Sequence, residues 1–161
     1  MRVGQALGRR DPAAAADAGD TAIFVGAAFM LGMSILLLVI PRPIARMYTP
    51  DEAVIHTTIV LLAAGAAFQL FDGLQTVATG ALRGAGDTRT PMLCHFTAYW
   101  IIGLPLGAWL CFRRGWGAFG LWSGLSLALI LIGIVLLLAW RRTVSKLMAK
   151  AETPNLQPAI L

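Results

Sequence analysis

Four stretches of this chain carry no Asp, Glu, Lys or Arg: 21–41, 53–71, 90–112 and 115–140. Crossing a bilayer core as a helix takes roughly 20 apolar residues, so each run is long enough to span. The rest of the composition leaves no soluble alternative. Of the 161 residues, 58% are hydrophobic and 13% charged, and the mean hydropathy is +0.74. A soluble domain is about a quarter charged. A soluble enzyme and a disordered tail are both excluded. The predicted fold is all-α, a polytopic membrane bundle of four transmembrane helices.

Capping signals place the boundaries. Asp11-Pro12 reads as an N-cap followed by proline in the first turn. The helix it opens runs apolar to Ile40 and stops at Pro41 and Pro43. Thr49-Pro50-Asp51-Glu52 reads as a capping box. The predicted helices are about 12–40, 50–82, 91–112 and 117–147, preceded by a cytoplasmic loop segment, 1–11, and followed by a cytoplasmic tail, 148–161. The second is long enough to tilt or protrude. The tail from Thr153, with Pro154 and Pro158, is expected to fray.

The net charge of +5 would suggest nucleic acid in a soluble chain. Here the basic residues flank apolar runs, and no Lys/Arg cluster is interleaved with stacking aromatics, so no nucleic-acid partner is expected. Nine of the 13 Lys and Arg fall on the side of the N-terminal segment, the 83–90 loop and the C-terminal flank. By the positive-inside rule that side is cytoplasmic, with both termini inside, as in a multi-pass protein of a bacterial inner membrane. Trp100, Trp116 and Trp140 lie near span ends or turns, where an aromatic belt forms. Cys94 and Cys111 share one predicted span and cannot bridge within it. Small residues recur as Gly103-xxx-Gly107, Gly120-xxx-Gly124 and Gly80-xxx-Gly84, the spacing that lets helices approach in lipid. Gly103 and Pro105, in a Gly-Leu-Pro step, are also candidates for a hinge.

Asp72 is the residue most able to carry chemistry. It lies about ten residues before the cytoplasmic end of its helix, roughly 15 Å deep and half the hydrocarbon thickness. An acid there is costly unless it is protonated, paired or facing a wet cavity. No Lys or Arg lies at matching depth in another span. Gln69, Asp72, Thr76 and Thr79 fall at steps of 3, 4 and 3, a stripe of oxygen-bearing side chains with Gln75 at its border. The expected chemistry is competition for one negative charge between a coupling ion, H⁺ or Na⁺, and a cationic or amphipathic small molecule. His56 and His95 lie near opposite interfaces without ligand partners, so no metal site is expected. Ser34, Ser123 and Ser126 are isolated hydroxyls with no base beside them, and enzyme activity is not expected.

The string Ala81-Leu82-Arg83-Gly84-Ala85-Gly86-Asp87-Thr88-Arg89-Thr90-Pro91 is a tight glycine turn with Arg83 and Arg89 placed to reach lipid phosphates and Asp87 placed to pair with one of them. It resembles the conserved turn of the multidrug and toxic compound extrusion (MATE) family. The resemblance extends through Phe68-Gln69-Leu70-Phe71-Asp72-Gly73-Leu74-Gln75, Tyr99-Trp100-Ile101-Ile102-Gly103-Leu104-Pro105-Leu106-Gly107 and the opening Arg2-Val3-Gly4-Gln5-Ala6-Leu7-Gly8. The resemblance implies the last four helices of a twelve-helix, two-lobed antiporter that exports cationic or amphipathic drugs in exchange for Na⁺ or H⁺. In the norfloxacin-efflux-like branch an acid at the position of Asp72 helps bind the coupling cation. Phe68 stands where some members carry tyrosine, so a phenol ligand is missing, and Phe68, Gln69, Gln75, Thr76 and Thr79 become candidate cavity-lining residues. No further cofactor is implied. The remaining partners are the bilayer and the N-terminal helices of the same transporter, without which 1–161 is expected not to export drugs. The competing readings are a small self-assembling four-helix efflux or channel protein and a non-transporting structural membrane subunit.

Overall fold

The structure is a computed structural model that describes residues 2–152. Those residues form helices joined by short turns, with no strand among them. The first, α1 (Arg2–Gly8), falls where a loop was expected over 1–11. Its apolar residues explain the difference. Val3 and Ala6 are buried three positions apart on one face, and that face packs on the neighbouring helices. A Cβ on Gly4 would lie 3.2 Å from the Gly84 carbonyl oxygen, so α1 closes against the end of a helix 80 residues away.

Helix α2 (Pro12–Val39) starts as its sequence predicts: the Asp11 carboxylate accepts the Ala14 N–H at 2.9 Å, and Pro12 occupies the first turn. After Ile40 the chain turns through α3 (Pro41–Arg46) into α4 (Glu52–Gly84). The expected capping box does not form there. Asp51 caps α4 by accepting from the Ala53 N–H at 2.9 Å, while the Thr49 hydroxyl accepts from the Asp51 N–H. Glu52 cannot reach back to close the box, because Arg42 and Arg46 of α3 each hold one of its carboxylate oxygens at 2.8 Å. These guanidinium hydrogen bonds hold the Glu52 carboxyl below its ordinary range.

Helix α4 is bent by 49° between Glu52–Ala63 and Phe68–Gly84. The bend falls at Ala63–Phe68, a segment that includes Gly65. There the Ser34 hydroxyl of α2 donates to the Ala66 carbonyl at 2.7 Å, a side chain inserted at the bend. Ser34 is buried, and nothing in its local spacing points to this role.

A turn with Gly86 at φ +88° leads into α5 (Arg89–Arg113). This helix is α-helical at Arg89–Phe96 and Leu104–Ala108 and π-helical at Thr97–Gly103 and Trp109–Arg113. The wider turns bracket Pro105, which lacks an N–H to donate. The Leu104 N–H reaches back five residues to the Tyr99 carbonyl.

Helix α6 (Gly117–Glu152) returns along α5 and continues past 147, so 148–152 is helix rather than the expected tail. The predicted fraying from Thr153 lies outside the described residues. Two of the three glycine pairs form one seam between α5 and α6. A Cβ on Gly124 would strike the Gly107 backbone, one on Gly103 would lie 2.8 Å from the Ala128 Cβ, and one on Gly120 would lie 2.7 Å from the Cys111 nitrogen. The third pair packs differently. Gly80 faces open space, and Gly84 meets Val3 of α1.

The core lies in the half of the bundle nearest α1. Ala15, Ala78, Leu82, Ala128, Ile132 and Leu136 are buried there, with Trp140 at its edge. Trp140 is 1% exposed and its indole N–H donates to Asp20 at 2.7 Å, so it braces the bundle rather than facing lipid as a belt residue. Elsewhere large apolar side chains point outward, among them Phe24, Phe29, Leu38 and Trp100. Among the described residues, three helices are long and apolar enough to cross a membrane, and four are when the two halves of α4 count as one span. This matches the four predicted spans.

Candidate functional site

Asp72 lies in the second half of α4, Phe68–Gly84, beyond the bend, and that half is packed from two sides. On the α2 side, Met30 fills the space a Cβ on Gly73 would take, and Gly26 accommodates Val77. On the α6 side, a Cβ on Gly133 would meet the Phe71 carbonyl oxygen at 3.5 Å, an ordinary contact. The Asp72 carboxylate itself points out of the described bundle and is exposed. The Gln75 carboxamide donates to its Oδ1 at 3.0 Å. No Lys, Arg or His pairs with it among the described residues.

The predicted stripe divides into two faces. Asp72 and Thr76 are exposed, Gln69 and Thr79 are half-buried, and Gln75 is buried at 7% exposure. The Thr76 hydroxyl donates to the Asp72 carbonyl at 2.9 Å and offers its lone pairs outward. Inward, Gln75 Oε1 and Thr79 Oγ1 are buried with no hydrogen-bond partner. An unsatisfied buried oxygen costs about 1–3 kcal/mol, so this side of the site has unused capacity for a donor or a water. The Tyr99 hydroxyl of α5 sits beside the Gln75 carboxamide, and the Tyr99 ring stands 6.2 Å from that of His95. His95 Nδ1 lies 2.6 Å from the Pro91 carbonyl, which only a protonated Nδ1 can satisfy as donor. Gln75 therefore stands between the Asp72 carboxylate and the aromatic side chains Tyr99 and His95 of α5.

Phe68 lies one turn before Asp72. Its ring packs on Trp122 of α6 with centroids 5.4 Å apart. The two rings and Tyr99 wall an open cavity of about 240 Å³ that Leu125, Ser126 and Leu129 also line. Of the residues expected to line a cavity, Phe68 lines this one. Trp122 and Tyr99 were not singled out for this role, because a partner on another helix leaves no spacing signal.

The remaining candidates lie elsewhere. Gly103 and Pro105 sit in α5, Gly103 inside the glycine seam, about as tightly held as a backbone can be. In the cytoplasmic-turn candidates, Arg83 and Arg89 are exposed, while Gly84 and Gly86 shape the turn. Asp87 pairs with neither arginine. It accepts the Thr90 N–H at 3.0 Å and so caps α5, because a helix start offers free N–H groups closer than any guanidinium. The Thr90 hydroxyl and backbone N–H lower the Asp87 carboxyl from its ordinary value. No group of three or more His, Cys, Asp or Glu able to hold a metal is found among the described residues.

Residues 1–109 match the MatE family. The chain is 41% identical over 156 residues to a "Probable multidrug resistance protein NorM" of Brucella suis biovar 1 (strain 1330), covering 94% of this chain and 33% of that protein. It is 43% identical over 146 residues to the "Multidrug resistance protein NorM" of Burkholderia vietnamiensis, covering 88% of this chain and 31% of that one. In fold it is similar to the eukaryotic MATE transporter AtDTX14, with a TM-score of 0.79 at 20% identity over 92% of this chain and 34% of that one. The chain thus spans about a third of the length of these relatives.

Proposed function

The chain belongs to the MatE family, and on that premise we propose that it supplies the last four membrane helices of a multidrug antiporter, with Asp72 as the site of the coupling ion. The observation that carries this reading is the Asp72 carboxylate. It stands exposed on the face of a spanning helix, held by one neutral donor, Gln75, and by no cation among the described residues. A membrane acid in that state takes a proton or a cation. Gln75 orients one oxygen and leaves the other for the ion.

The rest of the site supports a drug as the competing occupant. A cationic, aromatic drug matches a carboxylate one turn from the packed, tilted rings of Phe68 and Trp122, because the rings receive its apolar body and the acid its charge. The remaining helices, which the relatives' length provides, complete the pathway over the exposed face of Asp72 and Thr76. Both termini face the cytoplasm of a bacterial inner membrane, as the distribution of Lys and Arg supports.

The test uses the full-length transporter reconstituted in vesicles. Asp72→Asn is expected to abolish drug export driven by an imposed Na⁺ or H⁺ gradient while the protein still inserts and folds. Gradient-driven export by that variant at the wild-type rate overturns the assignment. Comparing the two gradients identifies the coupling ion.

A further inference from the structure

A second site lies between α2 and α6, and no residue of α4 lines it. A cavity of about 290 Å³ opens between α2 and α6, floored by Ile23, Phe24, Ala27 and Leu137 and flanked by Asp20 and Arg141. Its volume is at the lower end for a small-ligand pocket. The two charges face the same space without meeting, since Asp20 and Arg141 form no ion pair among the described residues. Opposite charges on flexible side chains around one cavity ordinarily close on each other in water. Here Asp20 is held back. Its Oδ1 accepts the Trp140 indole N–H at 2.7 Å, and Trp140 is itself pinned, buried and lying on Gly19, where a Cβ would overlap its ring. The second carboxylate oxygen has no hydrogen bond among the described residues.

The location narrows the ligand. Asp20 lies eight residues into α2, roughly 12 Å along the helix from Pro12. On α6 the apolar run ends at Trp140, and Arg141 and Arg142 follow. The pocket is therefore at the level where hydrocarbon gives way to headgroups, with an apolar floor toward the hydrocarbon and charge at the rim. A ligand that fits has an acyl chain, a phosphate and a cation bearing N–H donors within one headgroup.

We propose that this pocket binds an aminophospholipid, with Asp20 accepting from the ethanolamine ammonium, Arg141 donating to the phosphate, and the first acyl methylenes lying on Phe24 and Leu137. Phosphatidylglycerol offers the phosphate but no ammonium for Asp20. Phosphatidylcholine offers a cation with no N–H to donate. The pocket therefore discriminates among three lipids of similar length by one contact.

The test is native mass spectrometry of the full-length transporter titrated with an equimolar mixture of phosphatidylethanolamine, phosphatidylcholine and phosphatidylglycerol. Wild type is expected to retain phosphatidylethanolamine over the other two by roughly three- to tenfold, the weight of one charge-assisted contact. Asp20→Asn is the informative variant, because the amide oxygen still accepts from Trp140 and only the charge is lost. It is expected to erase the preference with no change in melting temperature. Arg141→Gln, at an exposed position, is expected to weaken retention of phosphatidylethanolamine and phosphatidylglycerol alike. An unchanged preference in Asp20→Asn, or no retained lipid in wild type, overturns the proposal. Neither result bears on Asp72, which does not line this pocket.

Discussion

Helix α6 makes two long contacts built in opposite ways. Against α5 the contact is a glycine seam, where a single added carbon at Gly103, Gly120 or Gly124 would come closer than 3.0 Å to a neighbouring atom. Against the Asp72 half of α4 the contact is looser, since a Cβ on Gly133 would meet Phe71 at an ordinary 3.5 Å. The polar groups divide the same way. The seam is made of glycine, alanine and leucine, while the α4 side holds an exposed carboxylate and two buried oxygens without partners. A tight apolar seam makes α5 and α6 one rigid body. The side that carries the charge keeps room to adjust.

The largest effect expected is at the seam. Gly124→Leu should destabilise the full-length protein by about 3 kcal/mol or more, read as loss of folded protein in detergent thermal unfolding, because backbone cannot move aside. Gly133→Ala should cost less than about 1 kcal/mol in the same assay. Equal losses at the two positions would erase the distinction between the contacts.

At the bend, Ser34→Ala removes the buried hydroxyl that donates to the Ala66 carbonyl, and a loss of about 1 kcal/mol is expected. Asp87→Ala should cost about 0.5–2 kcal/mol through the lost cap of α5. That loss has a pH signature. The folded-state pKa of Asp87 lies below its ordinary 3.8, so its stabilisation is fully present above that value. It disappears as pH falls through the lower folded-state value, and wild type and Asp87→Ala should converge in melting temperature at the acid end of the scan. The smallest effect belongs to Asp72→Asn, within about 0.5 kcal/mol in stability, because the carboxylate is exposed and the amide still accepts from Gln75. That variant isolates function from folding.

The spans were legible because a bilayer demands long uncharged runs, and such runs are a property of one segment. Asp11 and its proline were legible for the same reason, since a cap acts within four residues. What depended on a distant partner was not. Glu52 had the spacing of a capping box, but two arginines on α3 held it. Trp140 had the position of a belt residue, and its role was set by Asp20, 120 positions away. Ser34 looked like an isolated hydroxyl until α4 brought the Ala66 carbonyl to it. Asp72 was located by depth alone, whereas the cavity behind Phe68 needed Trp122 from another helix. The α1 helix was hidden by its brevity, since seven residues show too little periodicity to distinguish from a loop.

The bend in α4 makes its first half a lever. Glu52–Ala63 is 12 residues long, an arm of about 18 Å measured from the bend. Each degree of rotation about that point carries the Glu52 tip through about 0.3 Å, so ten degrees is about 3 Å at one membrane surface. Asp72 lies beyond the bend, in the half of α4 where Met30 packs at Gly73 and Gly26 takes Val77. The bend thus sets the Glu52 end, with the α3 turn that Arg42 and Arg46 tie to it, off the axis of the half that carries the carboxylate.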